Sequence, residues 1–175
     1  MKKLIILMLS IVCCFTITGC TKEEKQTEKV ELFTPGYLQE IKGNIVKADL
    51  DKNGNIVINE ADITDIATYI SYEYDGITIG LLAVRDSKNE VKVVVNTCQS
   101  CGGSPYAYFV QVGNQIECQN CTNRFDIDNL DNLVEDGCNP IAIKERTDKN
   151  GVITIGTRQL KELKDKFENW QGPKA

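Results

Sequence analysis

Short runs of hydrophobic residues, separated by short polar segments, fill most of the chain beyond about residue 50. Many of these residues are β-branched or aromatic, which is typical of strands. The pattern predicts strands at residues 56–58, 67–74, 77–84, 91–95, 106–112, 115–117, 141–144 and 152–155. Asp75-Gly76, Gly113-Asn114 and the segment 148–151 separate neighbouring runs, and such residues indicate hairpin turns.

A helical period replaces this pattern near the C-terminus. The apolar residues there recur every three or four positions and so share one face of a helix: Leu160, Leu163, Phe167 and Trp170. Thr157 belongs to a residue type that caps helices, so we predict a helix from Thr157 to about Trp170, packed against the sheet. The predicted fold class is α+β, mostly β, with antiparallel hairpins and a C-terminal helix.

The first twenty residues follow a third pattern. Lys2 and Lys3 precede an apolar run at 4–17, which is shorter than the ~20 residues of a membrane-spanning helix. The run ends in Ile-Thr-Gly-Cys, the tetrapeptide of a lipobox, at Cys20. We therefore predict a lipoprotein signal peptide at 1–19, cleaved before a Cys20 that carries the lipid.

The rest of the chain divides into a tether and a domain. Residues 20–32 are polar, charged and free of aromatic side chains, which is typical of a solvated tether, and we place one domain at 33–175. Cys13 and Cys14 leave with the signal peptide as apolar filler. The remaining chain has 18 basic and 25 acidic residues, a balance that repels nucleic acid and anionic headgroups. We expect the lipid at Cys20 to hold the protein on the extracytoplasmic face of the cell membrane.

Residues 49–60 fit the spacing of a calcium-binding loop, with oxygen donors at the first, third, fifth and twelfth positions and glycine at the sixth. The motif Asp-Lys-Asn-Gly-x-Ile-x-Ile recurs at 148–155, where no acidic residue stands at the twelfth position. The β-branched residues in both copies favour a turn that leads into a strand. We interpret both copies as turns, with a calcium site at 49–60 as the alternative.

Four cysteines have the spacing Cys-x₂-Cys-x₁₆-Cys-x₂-Cys: Cys98, Cys101, Cys118 and Cys121. Each pair lies at the end of a predicted strand, where a zinc-ribbon-like knuckle can present both sulfurs, with turn amides directed at them, to one centre. Four such sulfurs select zinc, mononuclear iron or an iron-sulfur cluster. The spacing indicates a metal site without choosing the metal.

The absence of histidine narrows the chemistry. It excludes covalent haem attachment, Rieske-type ligation and histidine-based nucleophilic catalysis. Gly102 and Pro105 after the first pair would not sustain the helix of a thioredoxin-type site. We therefore expect an electron-transfer or metal-binding protein rather than a conventional enzyme.

Two further possibilities concern the oxidation state and the fifth cysteine. Thiols oxidise outside the cytoplasm, so disulfides that cross-link the two knuckles are the alternative to a metal. Three roles fit Cys138: a replacement ligand, a thiol beside an electron-transfer centre, or a small buried residue.

Three cysteine blocks stand in order: Asn-Thr-Cys-Gln-Ser-Cys at 96–101, the second pair followed by Arg-Phe within 116–127, and Gly-Cys-Asn-Pro at 137–140. Together with the segments 74–86 and 150–160, they resemble the membrane iron-sulfur FtrD-like family over roughly residues 50 to 170. The resemblance implies a role beside a high-affinity iron permease, with the cysteine domain as an iron-sulfur electron carrier that serves a redox partner.

The export route bears on the cofactor. Lys2-Lys3 is not a twin-arginine signal, so the chain crosses the membrane unfolded and a cluster would have to be assembled outside. Mononuclear iron or zinc, by contrast, can be captured directly by thiolates. The predicted function is an iron or iron-sulfur electron carrier associated with iron uptake, and the alternative is a binding or scaffold lipoprotein stabilised by zinc.

Aromatic residues near the knuckles would shield an iron centre from water, or simply fill the core: Tyr106, Tyr108, Phe109 and Phe125.

Overall fold

The computed structural model describes residues 38–175. The predicted signal peptide at 1–19 and tether at 20–32, with the lipidation site Cys20, lie outside the described residues. Within 38–175, no helix is long and apolar enough to cross a membrane.

In chain order, the strands of this part are Asn44–Lys47 (β1), Asp49–Leu50 (β2), Ile56–Asn59 (β3), Thr68–Tyr74 (β4), Ile77–Arg85 (β5), Val91–Cys98 (β6), Phe109–Val112 (β7), Gln115–Cys118 (β8), Arg124–Asp126 (β9), Pro140–Ala142 (β10), Arg146–Lys149 (β11) and Val152–Ile155 (β12). One α-helix follows at Arg158–Glu162 (α1), and short 3₁₀ helices lie at Glu60–Asp62, Ile127–Asn129 and Lys164–Phe167. The prediction of a mostly β, largely antiparallel fold with a C-terminal helix is confirmed.

The strands form three sheets with the orders β1-β4-β5-β6-β10, β11-β12-β3-β2 and β7-β8-β9. In the five-stranded sheet, residues of β5 alternate between two hydrophobic clusters: Leu81 and Ala83 enter one, and Leu82 and Val84 enter the other. Because side chains alternate across a strand, both faces of this sheet are buried. That is why its central strands have nearly continuous hydrophobic sequences.

The Asp75-Gly76 turn joins β4 to β5 as predicted. Both residues have positive φ angles, 52° and 74°, and Tyr74 pairs directly with Ile77. Two consecutive positive φ values define the hairpin turn that matches the twist of the strands, which is why an Asp-Gly pair occupies it.

The repeated Asp-Lys-Asn-Gly motif forms two turns that lead into neighbouring strands. β3 and β12 pair antiparallel, so Ile58 lies opposite Ile153 and Ile56 opposite Ile155. In the first copy, one carboxylate oxygen of Asp51 accepts the backbone N–H of Asn55 at 2.9 Å. β1 precedes residues 49–60, β2 and β3 lie within them, and only the three-residue 3₁₀ helix Glu60–Asp62 follows, so the interpretation as a turn that leads into a strand is confirmed.

The strand predicted at 141–144 is misplaced. The partner of β12 is β11 at Arg146–Lys149, while β10 at Pro140–Ala142 pairs with β6. The hydrophobic pattern missed β11 because this strand is an edge of its sheet and carries polar side chains.

The C-terminal helix is shorter than predicted. α1 ends at Glu162, and a 3₁₀ helix continues to Phe167. Thr157 precedes α1, but its hydroxyl donates to the carbonyl of Gly54 at 3.3 Å instead of capping the helix. The chain then turns inward because Trp170 is almost fully buried and its indole N–H donates to the carbonyl of Asn96 at 3.0 Å.

Candidate metal centre

The first cysteine pair connects two sheets. Cys98 is the last residue of β6, in the five-stranded sheet, and residues 99–108 lead to β7 in the three-stranded sheet. The sulfur of Cys98 accepts backbone N–H groups from Ser100 and Cys101. These bonds form the predicted knuckle, in which the turn amides point at the first sulfur.

The second pair forms a matching turn between β8 and β9. Cys118 is the last residue of β8, and its sulfur accepts backbone N–H groups from Asn120 and Cys121. The Asn120 side chain also contacts the sulfur of Cys101 in the first knuckle through a hydrogen bond. The Ser104 hydroxyl donates to the Asn120 side-chain oxygen at 2.7 Å, which leaves the amide N–H₂ to face that sulfur.

The segment 131–139 brings the fifth cysteine to the same place. We call residues 131–139 the Cys138 loop. The backbone N–H of Gln99, inside the first knuckle, donates to the carbonyl of Asn139 at 2.9 Å, and Pro140 lies opposite Cys98 in the sheet. Cys138, two residues before Pro140, is therefore held close to Cys98.

The side chain of Gln99 organises the Cys138 loop. Its amide nitrogen donates to the carbonyl of Val134 at 2.9 Å, and its oxygen accepts the backbone N–H of Asp136 at 2.9 Å. Asn139 donates to the same Val134 carbonyl at 3.0 Å. A glutamine between two cysteines thus acts as an anchor for a loop that lies almost forty residues further along the chain.

The five thiols converge. The sulfur atoms of Cys98, Cys101, Cys121 and Cys138 all lie within 4.8 Å of one another. Cys118 is in side-chain hydrogen-bond contact with both Cys98 and Cys121. All five are free thiols in the structure.

Exposure divides these thiols into an inner and an outer group. Cys98 and Cys118 have no exposed surface, Cys101 and Cys121 are half-buried, and Cys138 is exposed. The hypothesis that Cys138 is a small buried residue is therefore wrong, because its loop lies over the outside of the cluster. The centre is buried on one side and open to solvent on the other.

The thiols influence one another's ionisation. The Cys118 thiol donates a hydrogen bond that lowers the pKa of Cys98 to about 5, although burial opposes this shift. Burial, together with the hydrogen bond and charge of Cys98, raises the pKa of Cys101 to about 12. The hydrogen bond to Cys98 and burial also raise the pKa of Cys118. The first thiolate therefore forms readily, and a cation would be needed to stabilise the next ones.

Only two of the four aromatic residues named from the sequence join the cysteine cluster. Phe109 and Phe125 pack edge to face with centroids 5.9 Å apart, in the hydrophobic cluster that contains Cys98 and Cys118. Tyr106 and Tyr108 belong to the other cluster, because alternate residues of this extended segment face opposite sides. For the two tyrosines, core packing is the confirmed interpretation.

The donor set fits a metal that prefers sulfur. Thiolates select zinc, iron and iron-sulfur clusters, and the knuckle amides compensate part of their negative charge. The sequence predicted the two knuckles, but it missed Gln99, Ser104 and Asn120. Nothing in the local pattern distinguishes these three polar residues from ordinary loop residues.

A family comparison agrees with this geometry. The family described as "Membrane iron-sulfur containing protein FtrD-like" matches residues 61–167. The chain belongs to the FtrD-like family. The match includes all five clustered cysteines, and it confirms the resemblance noted from the cysteine blocks.

The other comparisons add little to the FtrD-like assignment. No curated protein matches the chain. One solved structure is similar to part of the chain: the quaternary ammonium Rieske monooxygenase CntA in complex with an inhibitor, with 16% sequence identity and a TM-score of 0.39. The match covers 60% of this chain and 32% of the monooxygenase chain. The FtrD-like chain thus spans about a third of that enzyme, and the likeness is too low to support an argument.

Replacing Gln99 with alanine should loosen the Cys138 loop of this FtrD-like domain. We expect a loss of roughly 1–2 kcal/mol in the free energy of unfolding, because the hydrogen bonds of the Gln99 side chain to Val134, Asp136 and Asn139 disappear. In metal-loaded protein, Cys138 should also be alkylated faster, as measured by peptide mass spectrometry.

Ser100→Ala is the control for this change, since Ser100 is the exposed neighbour of Gln99 in the same knuckle. Equal alkylation rates at Cys138 in the wild type and in Gln99→Ala would show that Gln99 does not position the loop.

Proposed function

We propose that this protein is an extracytoplasmic, lipid-anchored electron carrier whose iron is held by cysteine thiolates and which takes part in iron uptake. The observation that carries the proposal is the convergence of sulfur atoms from three separate segments within 4.8 Å. The family description supports an iron-related role at a membrane. Iron with thiolate ligands supplies one-electron exchange between two valence states.

The exposure of the site suits exchange with a partner. The inner thiols are buried with Phe109 and Phe125, which limits water on that side, while Cys138 and the half-buried thiols reach the surface. An electron donor or acceptor could therefore approach the centre from the side of the Cys138 loop. The partners we propose are a redox protein and an iron permease, both at the membrane to which Cys20 would attach this chain.

A structural zinc site is the second candidate, and one observation favours it. Cys98 belongs to the five-stranded sheet, and Cys121 lies in the turn between β8 and β9 of the three-stranded sheet, so an ion bound here would hold two sheets together. Zinc does not change valence, and the function of the protein would then lie on its surface as a binding or scaffold module.

The decisive experiment uses the full chain, purified from the membrane fraction in detergent without oxygen. We expect bound iron, a thiolate-to-iron absorption band, and reversible loss and return of this band in a potentiometric titration with one electron per centre. The chain reconstituted with zinc is the matched control, since it has the same fold without a second valence.

A colourless protein with one zinc per chain would refute electron transfer and support the scaffold role. A metal-free protein whose cysteines resist alkylation until they are reduced would favour the cross-linking disulfides.

A further inference from the structure

The cluster contains one more sulfur than a tetrahedral ion can use. We propose that this site binds a single metal ion through Cys98, Cys101, Cys121 and Cys138, and that Cys118 is a fifth, non-ligating thiol. This inference rests on the proposed metal centre, but it differs from the ligand set that the two Cys-x-x-Cys pairs suggest. It concerns how many metal atoms the site holds and which cysteines hold them.

The distances between the sulfur atoms support a single metal ion. A tetrahedral ion about 2.3 Å from four sulfurs keeps them about 3.8 Å apart. The four sulfurs of the proposed set all lie within 4.8 Å of one another, so small side-chain rotations bring them onto one ion. An iron-sulfur cluster inserts further irons and bridging sulfides between the thiolates, and it would need wider separations than these.

The anchoring of the Cys138 loop supports Cys138 as a ligand. A thiol on a free surface loop would meet the cluster only occasionally. Here Gln99 holds the Cys138 loop by backbone and side-chain hydrogen bonds, and Pro140 is paired with Cys98 in the sheet. These contacts hold Cys138 next to the first knuckle.

The position of Cys118 supports its assignment as a thiol that does not bind the ion. Its side chain has no exposed surface and belongs to the hydrophobic cluster with Phe109 and Ile116. It contacts the side chains of Cys98 and Cys121, and it is fully buried whereas Cys138 is exposed. We assign Cys118 the role of a buried neighbour that contacts the sulfur of Cys98 and supports this ligand without binding the ion.

The assignment has a chemical consequence. Each thiol that binds the ion releases its proton to solvent. The exposed Cys138 is then the ligand most accessible to water, chelators and partner proteins. It is the ligand through which we expect an ion to enter and leave the site.

Cobalt(II) substitution in the full chain, in detergent and without oxygen, tests the ligand set. The intensity of thiolate-to-cobalt charge transfer grows with the number of bound thiolates, so Cys138→Ala should lose about a quarter of it, because one of four ligands is removed. Cys118→Ala should keep the intensity of the wild type. Cobalt cannot assemble a sulfide cluster here, and the measurement does not depend on electron transfer.

Iron-loaded protein tests the number of metal atoms. We expect one iron per chain and no acid-labile sulfide. Stoichiometric sulfide would overturn the single-ion proposal.

The outcomes separate the ligand sets. If Cys118→Ala loses a quarter of the intensity while Cys138→Ala keeps it, the two Cys-x-x-Cys pairs are the ligands and the proposal is wrong. If both variants lose intensity, or neither does, the fixed assignment is also wrong. Circular dichroism of each apo variant shows whether the fold is intact, and Cys118→Ser replaces Cys118→Ala if the alanine variant is misfolded.

This test can fail independently of the proposed function. The cobalt spectra can agree with the proposed ligands while the iron centre shows no reversible oxidation and reduction. That result would refute the electron-carrier function and leave the ligand assignment valid.

Discussion

Replacing Cys98 with alanine should abolish high-affinity metal binding, with a loss of at least about 100-fold in affinity, since even changes to groups behind the ligands cost 10- to 100-fold. Cys98 is fully buried at the end of β6, and its sulfur contacts Cys101 and Cys118 and accepts two knuckle amides. Among the five clustered cysteines, only Cys98 lies within a strand of the five-stranded sheet. Competition for iron(II) or zinc against a coloured chelator, without oxygen, measures the affinity.

Loss of binding in this variant should not come from unfolding. Removing one buried sulfur costs about 1 kcal/mol in the apo protein, which chemical denaturation can verify. Thr97→Val is the matched control: Thr97 is the preceding residue of β6, it is equally buried, and its hydroxyl has no hydrogen-bond partner within the described chain. An affinity in Cys98→Ala equal to that of the wild type would show that the metal is not held by these thiols.

The parts of the centre that could be predicted from the sequence are the local ones. The two knuckles follow from cysteine spacing because a turn of four residues fixes the relative positions of its own sulfurs and amides. The strands that precede them follow from hydrophobic runs, and the Asp75-Gly76 hairpin follows from its turn residues. Each of these features depends on neighbours within a few positions.

The remaining parts depend on pairings between distant residues. Cys138 joins the cluster because Pro140 pairs with Cys98, forty-two positions earlier, and because Gln99 holds the intervening loop. The helix ends early because Trp170 packs against the five-stranded sheet, where Gly80 leaves space for its ring. The periodic pattern placed Trp170 on the packed face, but neither the space at Gly80 nor the contacts of Gln99 produce such a pattern, so the sequence alone does not show them.

Lys92→Met should lower the free energy of unfolding by on the order of 3 kcal/mol near neutral pH, as expected when one partner of a buried ion pair is removed. Lys92 is almost fully buried in β6 and lies 3.3 Å from the buried carboxylate of Asp86 and 2.9 Å from Glu90. It also forms an ion pair with Asp131, at the start of the Cys138 loop. Methionine fills the space but leaves Asp86 charged and without its cation.

The pH dependence distinguishes this mechanism from a simple loss of packing. Burial raises the pKa of Asp86, but hydrogen bonds from the Glu90 amide and from Lys92 outweigh it, so the pKa lies below 3.8. In the wild type this contribution to stability is present above pH 3.8 and is lost as the pH falls through the lower folded value. Without Lys92, burial dominates, Asp86 is protonated at a higher pH, and the difference between variant and wild type should shrink between pH 7 and pH 4.

Lys88→Met is the control, because Lys88 is exposed in the same turn and its replacement should cost less than about 0.5 kcal/mol. A pH-independent difference would mean that Lys92 contributes through packing alone. The same variant connects stability to the metal centre: since Lys92 holds Asp131, its loss should also speed the alkylation of Cys138 in metal-loaded protein. A rate identical to that of the wild type would show that Gln99 suffices to hold the Cys138 loop.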